Sequence, residues 1–333
     1  MAELNEILGN ERIKEHFITA VHHKKISHAY IMEGDKGSGK KMLAEAFSKI
    51  LQCEGRETTG LVESCGKCES CIQMEYHDHP DVIWVSHEKP NVISVGEIRE
   101  QIVNTVEIMP YKGPYKIYIV DEAEKMNAAA QNAILKTIEE PPEYTNRGAF
   151  LDTILSRCIL LATRPVPGTA VEKYLVEKCS VSKEEAEFAA GFSLGNIGKA
   201  EAIVSSEEFQ DLKELTLSIL RYIHEIESYE IADKVKEYKK YKNRIEDFFD
   251  IFLMWFRDIM LLKADNSVNA EAAKKKIIFK NEYAYLKKQV DKLDLEAIDY
   301  VIGKIHRARV RIKSNVNFDA TLELLIVEAR REF

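Results

Sequence analysis

One short stretch of the chain has the residue types and spacing of a phosphate-binding loop. It reads G-D-K-G-S-G-K-K and supplies Gly34, Gly37, Gly39, Lys40 and Lys41 as candidate nucleotide-binding residues. Backbone N–H groups at such a loop favour anions, and Lys40 would reach the β- and γ-phosphates. The next residue is normally Ser or Thr, whose hydroxyl holds Mg²⁺, but Lys41 has no oxygen to offer. We therefore predict a nucleotide-binding frame with doubtful Mg²⁺ ligation, whose own ATPase activity is lost; retention of bound ATP or ADP stays open.

An acidic pair follows an apolar segment later in the same half of the chain. Residues 116–120 read K-I-Y-I-V, typical of a strand, and Asp121 and Glu122 come next. In phosphate-loop enzymes the Asp assists Mg²⁺, and the following Glu commonly polarises the attacking water. Both acidic residues are present, so the defect in the predicted site lies at Lys41.

Four of the six cysteines fall within 19 residues, spaced as C-x₁₁-C-x₂-C-x₂-C. They are Cys53, Cys65, Cys68 and Cys71. Four thiolates with no position left open for water indicate structural Zn²⁺ rather than a catalytic metal, and four free thiols are the alternative. His77 and His79 lie nearby but are not needed as ligands. Cys158 and Cys179 are expected to be ordinary small buried residues.

Composition fits a soluble globular protein of two or three domains. The chain has 333 residues, 45% hydrophobic and 31% charged, with a formal net charge of −8. No apolar run approaches the ~20 residues of a membrane span, and the polar, acidic N-terminus does not resemble a secretory signal. Clustered cysteines in this setting favour metal binding over disulfides. We expect a cytoplasmic protein without an overall basic surface.

Strand-like and helix-like segments alternate in the first half, and helices dominate the second. This alternation predicts a parallel sheet covered on both faces. Pro165 and Pro167 indicate a boundary. We predict an α/β domain over residues 1–165 with a zinc module at about 53–71, a small helical lid over 166–206, and an all-α region over 207–333.

Motifs along nearly the whole chain resemble the clamp-loader branch of the AAA+ proteins. They are H-A-Y before the phosphate loop, the four-cysteine insert, I-V-D-E-A-E-K-M at 119–126, L-K-T-I-E-E-P-P at 135–142, I-L-S-R-C at 154–158, G-N-I-G-K-A at 195–200 and N-V-N-F at 315–318. The resemblance implies a phosphate-loop α/β domain with a zinc insert, a helical lid and a helical collar that holds a hetero-oligomer together.

The resemblance also implies roles for single residues. In this family the Arg of the S-R-C motif, here Arg157, reaches the γ-phosphate of ATP on a neighbouring subunit. A guanidinium suits that task because it stays charged and donates in a rigid fork. Lys199 matches the basic sensor position of the lid. The implied partners are motor subunits and a further loader subunit, with the sliding clamp and primed DNA bound through the complex.

Two other functions compete with this trans-acting, stator-like role. An active motor subunit would need a Mg²⁺ ligand from elsewhere to compensate for Lys41. A zinc module that binds nucleic acid would need a basic zinc loop, but the insert carries Glu54, Glu57, Glu63 and Glu69 against Arg56 and Lys67. The basic stretch at 306–313 is interpreted as a solvated helix face paired with acidic neighbours. Phe248, Phe249, Phe252, Trp255 and Phe256 are expected to form core plus subunit interface.

The chain departs from the family between its E-E-P-P and T-N motifs. The family places a central strand there, but Tyr144 is followed directly by Thr145 and Asn146. A central strand cannot be omitted without leaving ladder edges unpaired. We therefore hypothesise a missing segment between Tyr144 and Thr145, after which Asn146 would be a sensor residue.

Overall fold

Four short strands form two parallel pairs in the computed structural model, which describes residues 1–55, 62–139, 158–264 and 270–333. Strand β1 (Tyr30–Glu33) pairs with β4 (Ile159–Ala162), and β2 (Val82–Trp84) pairs with β3 (Ile117–Ile119). The described residues contain no ladder that joins the two pairs. The predicted parallel pairing is confirmed, whereas a single continuous sheet is not seen among these residues.

Helices follow the strands in the first unit, which comprises Met1–Pro167 and Asn196–Gly198. The helices are α1 (Glu11–His22), α2 (Lys40–Gln52), α3 (Glu69–Glu75), α4 (Val95–Ile98, continued by a π-helical turn Arg99–Val103) and α5 (Ala128–Glu139). Short 3₁₀ turns occupy Leu4–Glu6 and Ala123–Lys125. Gly9 and Asn10, both at positive φ, separate the first 3₁₀ turn from α1.

Two apolar clusters stabilise the first unit. One packs α1 against α2, with the rings of Phe17 and Phe47 stacked at a centroid distance of 3.9 Å. Side chains from both strand pairs, including Tyr30 and Ile117, lie against this cluster. The second cluster joins α4 and α5 beneath β3 and contains Ile98 and Met126. Each strand pair is therefore covered by helices, as apolar strand runs require.

The second unit comprises Gly168–Gly195 and Lys199–Phe333 and is helical throughout its described part. Its helices are α6 (Gly168–Cys179), α7 (Lys183–Ser193), α8 (Ile197–Ser205, whose first two residues belong to the first unit), α9 (Glu207–Leu220), α10 (Ser228–Glu237), α11 (Ile245–Ala264), α12 (Ala270–Lys274), α13 (Tyr283–Val290), α14 (Leu295–Lys313) and α15 (Phe318–Arg331). The predicted lid falls largely within this unit and the predicted collar wholly within it; their separation into two domains stays a prediction.

The aromatic side chains of α11 form the core of the second unit. Phe248, Phe249, Phe252, Trp255 and Phe256 have no exposed surface. Trp255 donates its indole N–H to Gln289 at 2.8 Å, which satisfies the polar atom that burial would otherwise leave unpaired. These residues form the core of the unit. They have no exposed surface with which to form the predicted subunit interface.

Across the described ranges no helix combines the length and the apolar character needed to cross a bilayer.

Candidate metal centre and phosphate loop

The four clustered cysteines converge at the junction of α2 and α3. Their Sγ atoms all lie within 4.8 Å of one another. Cys53 caps the end of α2, and Cys68 caps the start of α3, where its sulfur accepts the backbone N–H of Cys71. Gly66, at φ +65°, provides the left-handed turn between the inner cysteines. The sequence prediction of one four-cysteine cluster is confirmed, and the cluster could hold a metal ion.

The environment of these sulfurs matches a closed thiolate site. The backbone N–H groups of Lys67 and Cys68 donate to Cys65 and lower the pKa of its thiol to about 6. Burial raises the pKa of Cys53 and of Cys71, so these two thiols favour the protonated form without a bound cation. A metal ion would reverse that preference, because a coordinating thiol is deprotonated outright. Four thiolate sulfurs are a donor set that fits structural zinc, which is bound with tetrahedral geometry.

The two nearby histidines are not part of the cysteine cluster. His79 is buried, and its Nδ1 accepts the backbone N–H of Asp81 at 3.1 Å. His77 sits at φ +55° with its ring edge against Trp84. Both histidines contact residues between α3 and the end of β2, and their exclusion as ligands stays a prediction.

The phosphate loop joins β1 to α2, as its sequence context predicts. Gly34, Gly37 and Gly39 all have positive φ, and Gly39 is the N-cap residue of α2. The ammonium group of Lys40 turns back into the loop and donates to the carbonyl oxygens of Gly34 at 2.6 Å and Asp35 at 2.9 Å. The loop thus has the expected backbone shape, while its central cation is bonded to the loop itself.

Lys41 occupies the position that would carry the Mg²⁺-binding hydroxyl. Its ammonium nitrogen lies 4.8 Å from the centroid of the Trp84 ring, a cation–π distance. This contact links α2 to β2 and assigns Lys41 a packing role. No local sequence pattern indicates Trp84 as the partner, because the two residues are 43 positions apart.

The acidic pair that follows β3 is also engaged locally. Glu122 adopts a left-handed conformation (φ +51°) and forms an ion pair with Lys125, three residues later. The hydrogen bond from Lys125 is the main reason why the pKa of Glu122 lies below its usual value. Lys125 also donates to the carbonyl oxygen of Pro90 at 2.6 Å. Asp121 accepts the backbone N–H of Glu122 at 3.0 Å.

Asn196 and Gly198, which are far from the phosphate loop in the sequence, form hydrogen bonds with it. The side-chain amide of Asn196 donates to the carbonyl oxygen of Lys36 at 2.8 Å, and the backbone N–H of Gly198 donates to that of Gly37 at 3.0 Å. A Cβ at position 198 would lie only 2.7 Å from the Cα of Gly37. We call these contacts of Asn196 and Gly198 the clasp. The G-N-I-G-K motif was visible in the sequence, but this pairing was not.

The remaining predicted site residues belong to the second unit or lie outside the described ranges. Lys199 belongs to the second unit, where its ammonium group forms an ion pair with Asp250 at 2.5 Å. Arg157, Asn146 and the Tyr144–Thr145 junction lie outside the described residues. Their roles therefore stay predictions.

Charges on α14 are partly neutralised, as the sequence interpretation expected. Arg309 forms ion pairs with Asp250 at 2.5 Å and with Glu246 at 3.1 Å, and Lys313 pairs with Glu246 at 3.3 Å. His306, Arg307 and Arg311 are exposed, so the described part of this face combines salt bridges with solvated cations.

Comparison with known proteins finds similarity to subunits of DNA polymerase III. A family model described as "DNA polymerase III, delta subunit" matches residues 9–167. The DNA polymerase III subunit delta′ of Bacillus subtilis is 26% identical over 336 residues, covering 98% of this chain and 97% of that protein. Subunit tau of the same organism is 25% identical over 330 residues, covering 91% of this chain and 57% of tau.

Two solved structures share lower identity with the chain. A DNA polymerase III gamma subunit-related protein of Thermotoga maritima covers 79% of this chain and 90% of its own, with 18% identity and a TM-score of 0.30. The DNA clamp loader delta protein of Bacillus subtilis covers 95% of this chain and 99% of its own, with 13% identity and a TM-score of 0.31.

Proposed function

We propose that this chain, a homologue of the DNA polymerase III delta-prime and tau/gamma subunits, is the delta-prime subunit of a clamp loader. In this role it is an AAA+ stator that assembles with gamma/tau-type motor subunits and a delta subunit. The hetero-oligomer uses ATP to load the sliding clamp onto primed DNA during replication. Similarity to delta-prime over nearly the full length of both chains is the observation that carries the proposal.

The state of the phosphate loop supports a stator over a motor. Lys40 is bonded to its own loop, Lys41 lies over Trp84, and Glu122 is paired with Lys125. Hydrolysis would require a free cation at the γ-phosphate, a Mg²⁺-binding hydroxyl and a carboxylate free to orient water. Of these parts, the Mg²⁺-binding hydroxyl is replaced by Lys41, and this replacement favours the stator. A chain of this kind contributes to catalysis through a residue it donates, and Arg157 in the S-R-C motif is the residue we assign.

The cysteine cluster serves as a structural zinc site in this proposal. Cys53, Cys65, Cys68 and Cys71 would bind Zn²⁺ as four thiolates, leaving no open position for water or substrate. The ion would fix the end of α2 to the start of α3. Its contribution is therefore to folding of the insert and not to ATP chemistry.

Reconstitution tests this function directly. The purified chain alone should show no Mg-dependent ATP turnover, and it should assemble with the gamma/tau-type and delta subunits into a complex that hydrolyses ATP in response to clamp and primed DNA. Omission of this chain should abolish the stimulated turnover. Turnover by the isolated chain would instead establish the motor alternative, and failure to assemble would contradict both.

A further inference from the structure

Two cationic segments of the second unit lie side by side. Helix α14 carries five lysine or arginine side chains and no acidic one between positions 304 and 313, and the 3₁₀ turn Tyr238–Arg244 carries four and no acidic one. An ion pair of 2.7 Å between Lys239 and Asp319 holds this turn against the start of α15, which begins five residues after α14 ends. We call the exposed cations of both segments the basic strip: Lys239, Lys240, Lys242, Arg307, Arg311 and Lys313.

The carboxylates of α11 beside this strip are already shared between cations. Asp250 forms ion pairs with Lys199 and with Arg309, each at 2.5 Å. Glu246, two residues beyond the 3₁₀ turn, pairs with Arg309 at 3.1 Å and with Lys313 at 3.3 Å. Three cations therefore share two carboxylates, and this network keeps a surplus of positive charge even though each of its members is paired.

Most cations of the basic strip have no carboxylate partner. Four of the six form no ion pair within the described ranges of the chain: Lys240, Lys242, Arg307 and Arg311. The formal net charge of the whole chain is −8, so the strip is a local reversal of sign. A surface region of one sign attracts and orients ligands of the opposite charge. The strip therefore favours an anionic partner.

The residue types of the strip favour nucleic acid over an acidic protein. Protein interfaces are built around aromatic and other apolar side chains and are depleted in lysine. Between positions 304 and 317 the exposed large apolar side chains are Val310 and Val316, and Tyr238 and Tyr241 of the 3₁₀ turn are buried. A phosphate backbone needs only cations distributed along a surface, which is what the strip presents.

We propose that the basic strip binds the phosphate backbone of DNA. Arg307 and Arg311 are four residues apart on α14, which is about 6 Å along the helix axis. One strand of B-DNA carries a phosphate about every 3.4 Å along its axis, so the two guanidinium groups can contact separate phosphates. Contacts of this kind position a protein on DNA without reading its sequence. The choice of DNA as the nucleic acid rests on the proposed function, to which the strip adds a direct contact made by this chain.

The test measures binding of a fluorescent single-stranded oligonucleotide to the purified full chain by anisotropy, over a series of salt concentrations. The double variant Arg307→Ser/Arg311→Ser removes two exposed cations and leaves every described ion pair in place. Its Kd should rise about ten-fold at about 50 mM salt. The slope of log K against log salt should also become shallower by about 1.4, because each phosphate contact on a single strand contributes about 0.7.

The control Lys178→Ser/Lys183→Ser removes the same charge from exposed positions on α6 and α7 and should bind DNA as the wild type does. Equal weakening by both double variants would overturn the proposal, because affinity would then follow net charge alone. Unchanged DNA affinity in Arg307→Ser/Arg311→Ser would also overturn it, and failure of that variant to assemble with the other loader subunits would then identify the strip as a protein contact. ATP turnover by the reconstituted loader tests the proposed function separately, because the DNA measurement uses this chain alone.

Discussion

The cysteine module and the phosphate loop of the first unit both carry clear sequence motifs, but their side chains differ in how completely they match the predicted sites. In the cysteine module, four predicted ligands converge to within 4.8 Å of one another, as a metal site requires. In the phosphate loop, the backbone has the expected shape, but Lys40 donates to carbonyl oxygens of the loop itself and Lys41 lies over Trp84. The backbone of the phosphate loop therefore keeps its expected shape, although position 41 carries a residue that cannot hold Mg²⁺.

The largest expected effect comes from the metal side of this comparison. Cys68→Ala removes one of four ligands and the N-cap of α3, so the insert should lose its metal. We expect destabilisation of several kcal/mol, because the free energy of binding a structural metal contributes directly to folding. Elemental analysis and the thermal midpoint check this result.

Cys179→Ala is the matched control, since Cys179 lies outside the cluster. It should leave the metal content unchanged. Unaltered zinc content in Cys68→Ala would contradict the four-cysteine site, because the metal would then be held without Cys68.

The next effect concerns Asp81, whose carboxylate accepts the backbone N–H groups of residues 111–113. Burial opposes its ionisation, but three backbone N–H groups outweigh burial, so its pKa lies below the ordinary value of 3.8. Its contribution to the free energy of unfolding is therefore present above that value and is lost as the pH falls through the lower pKa of the folded state. Asp81→Asn should cost about 2 kcal/mol at pH 7.

Urea unfolding at neutral and acidic pH measures this contribution. The difference between the wild type and Asp81→Asn should shrink below pH 4. A constant difference across that range would show that the charge of Asp81 does not stabilise the loop.

The sequence predicts the site residues that lie close to one another along the chain. The cysteines and the loop glycines were predictable, because their partners are local in the chain. The clasp, the Lys41–Trp84 contact and the Asp81 anchor join residues that are between 30 and 161 positions apart. Such partners depend on how helices pack across strands, which no local pattern encodes.

On the phosphate-loop side, the clasp should be sensitive to a single methyl group. Gly198→Ala places a Cβ 2.7 Å from the Cα of Gly37, so one segment must move. We expect destabilisation of about 1 kcal/mol or more, the usual result of overpacking. The change in thermal midpoint measures it.

Gly303→Ala is the control, because a Cβ at that helical position meets no atom within 4 Å. It should stabilise the protein by about 0.5–1 kcal/mol. Equal behaviour of the two variants would mean that the clasp does not hold Gly198 against the loop.

The smallest effect concerns Lys41 itself. Lys41→Ala removes the cation over Trp84 and should cost about 0.5–1 kcal/mol, with a change in tryptophan emission. Trp255 is buried in the other unit and pairs with Gln289, so its emission should not change. Loss of nucleotide binding without any cost in stability would contradict the packing role of Lys41.

The proposed action of this chain on ATP in a neighbouring subunit can be tested by measuring ATP turnover. Loaders reconstituted with Arg157→Ala or Lys40→Ala are compared for clamp- and DNA-stimulated ATP turnover. We expect Arg157→Ala to slow hydrolysis at the adjacent motor site by about 10³-fold or more, whereas Lys40→Ala should leave turnover unchanged. A share of turnover lost in Lys40→Ala, or full activity in Arg157→Ala, would contradict it.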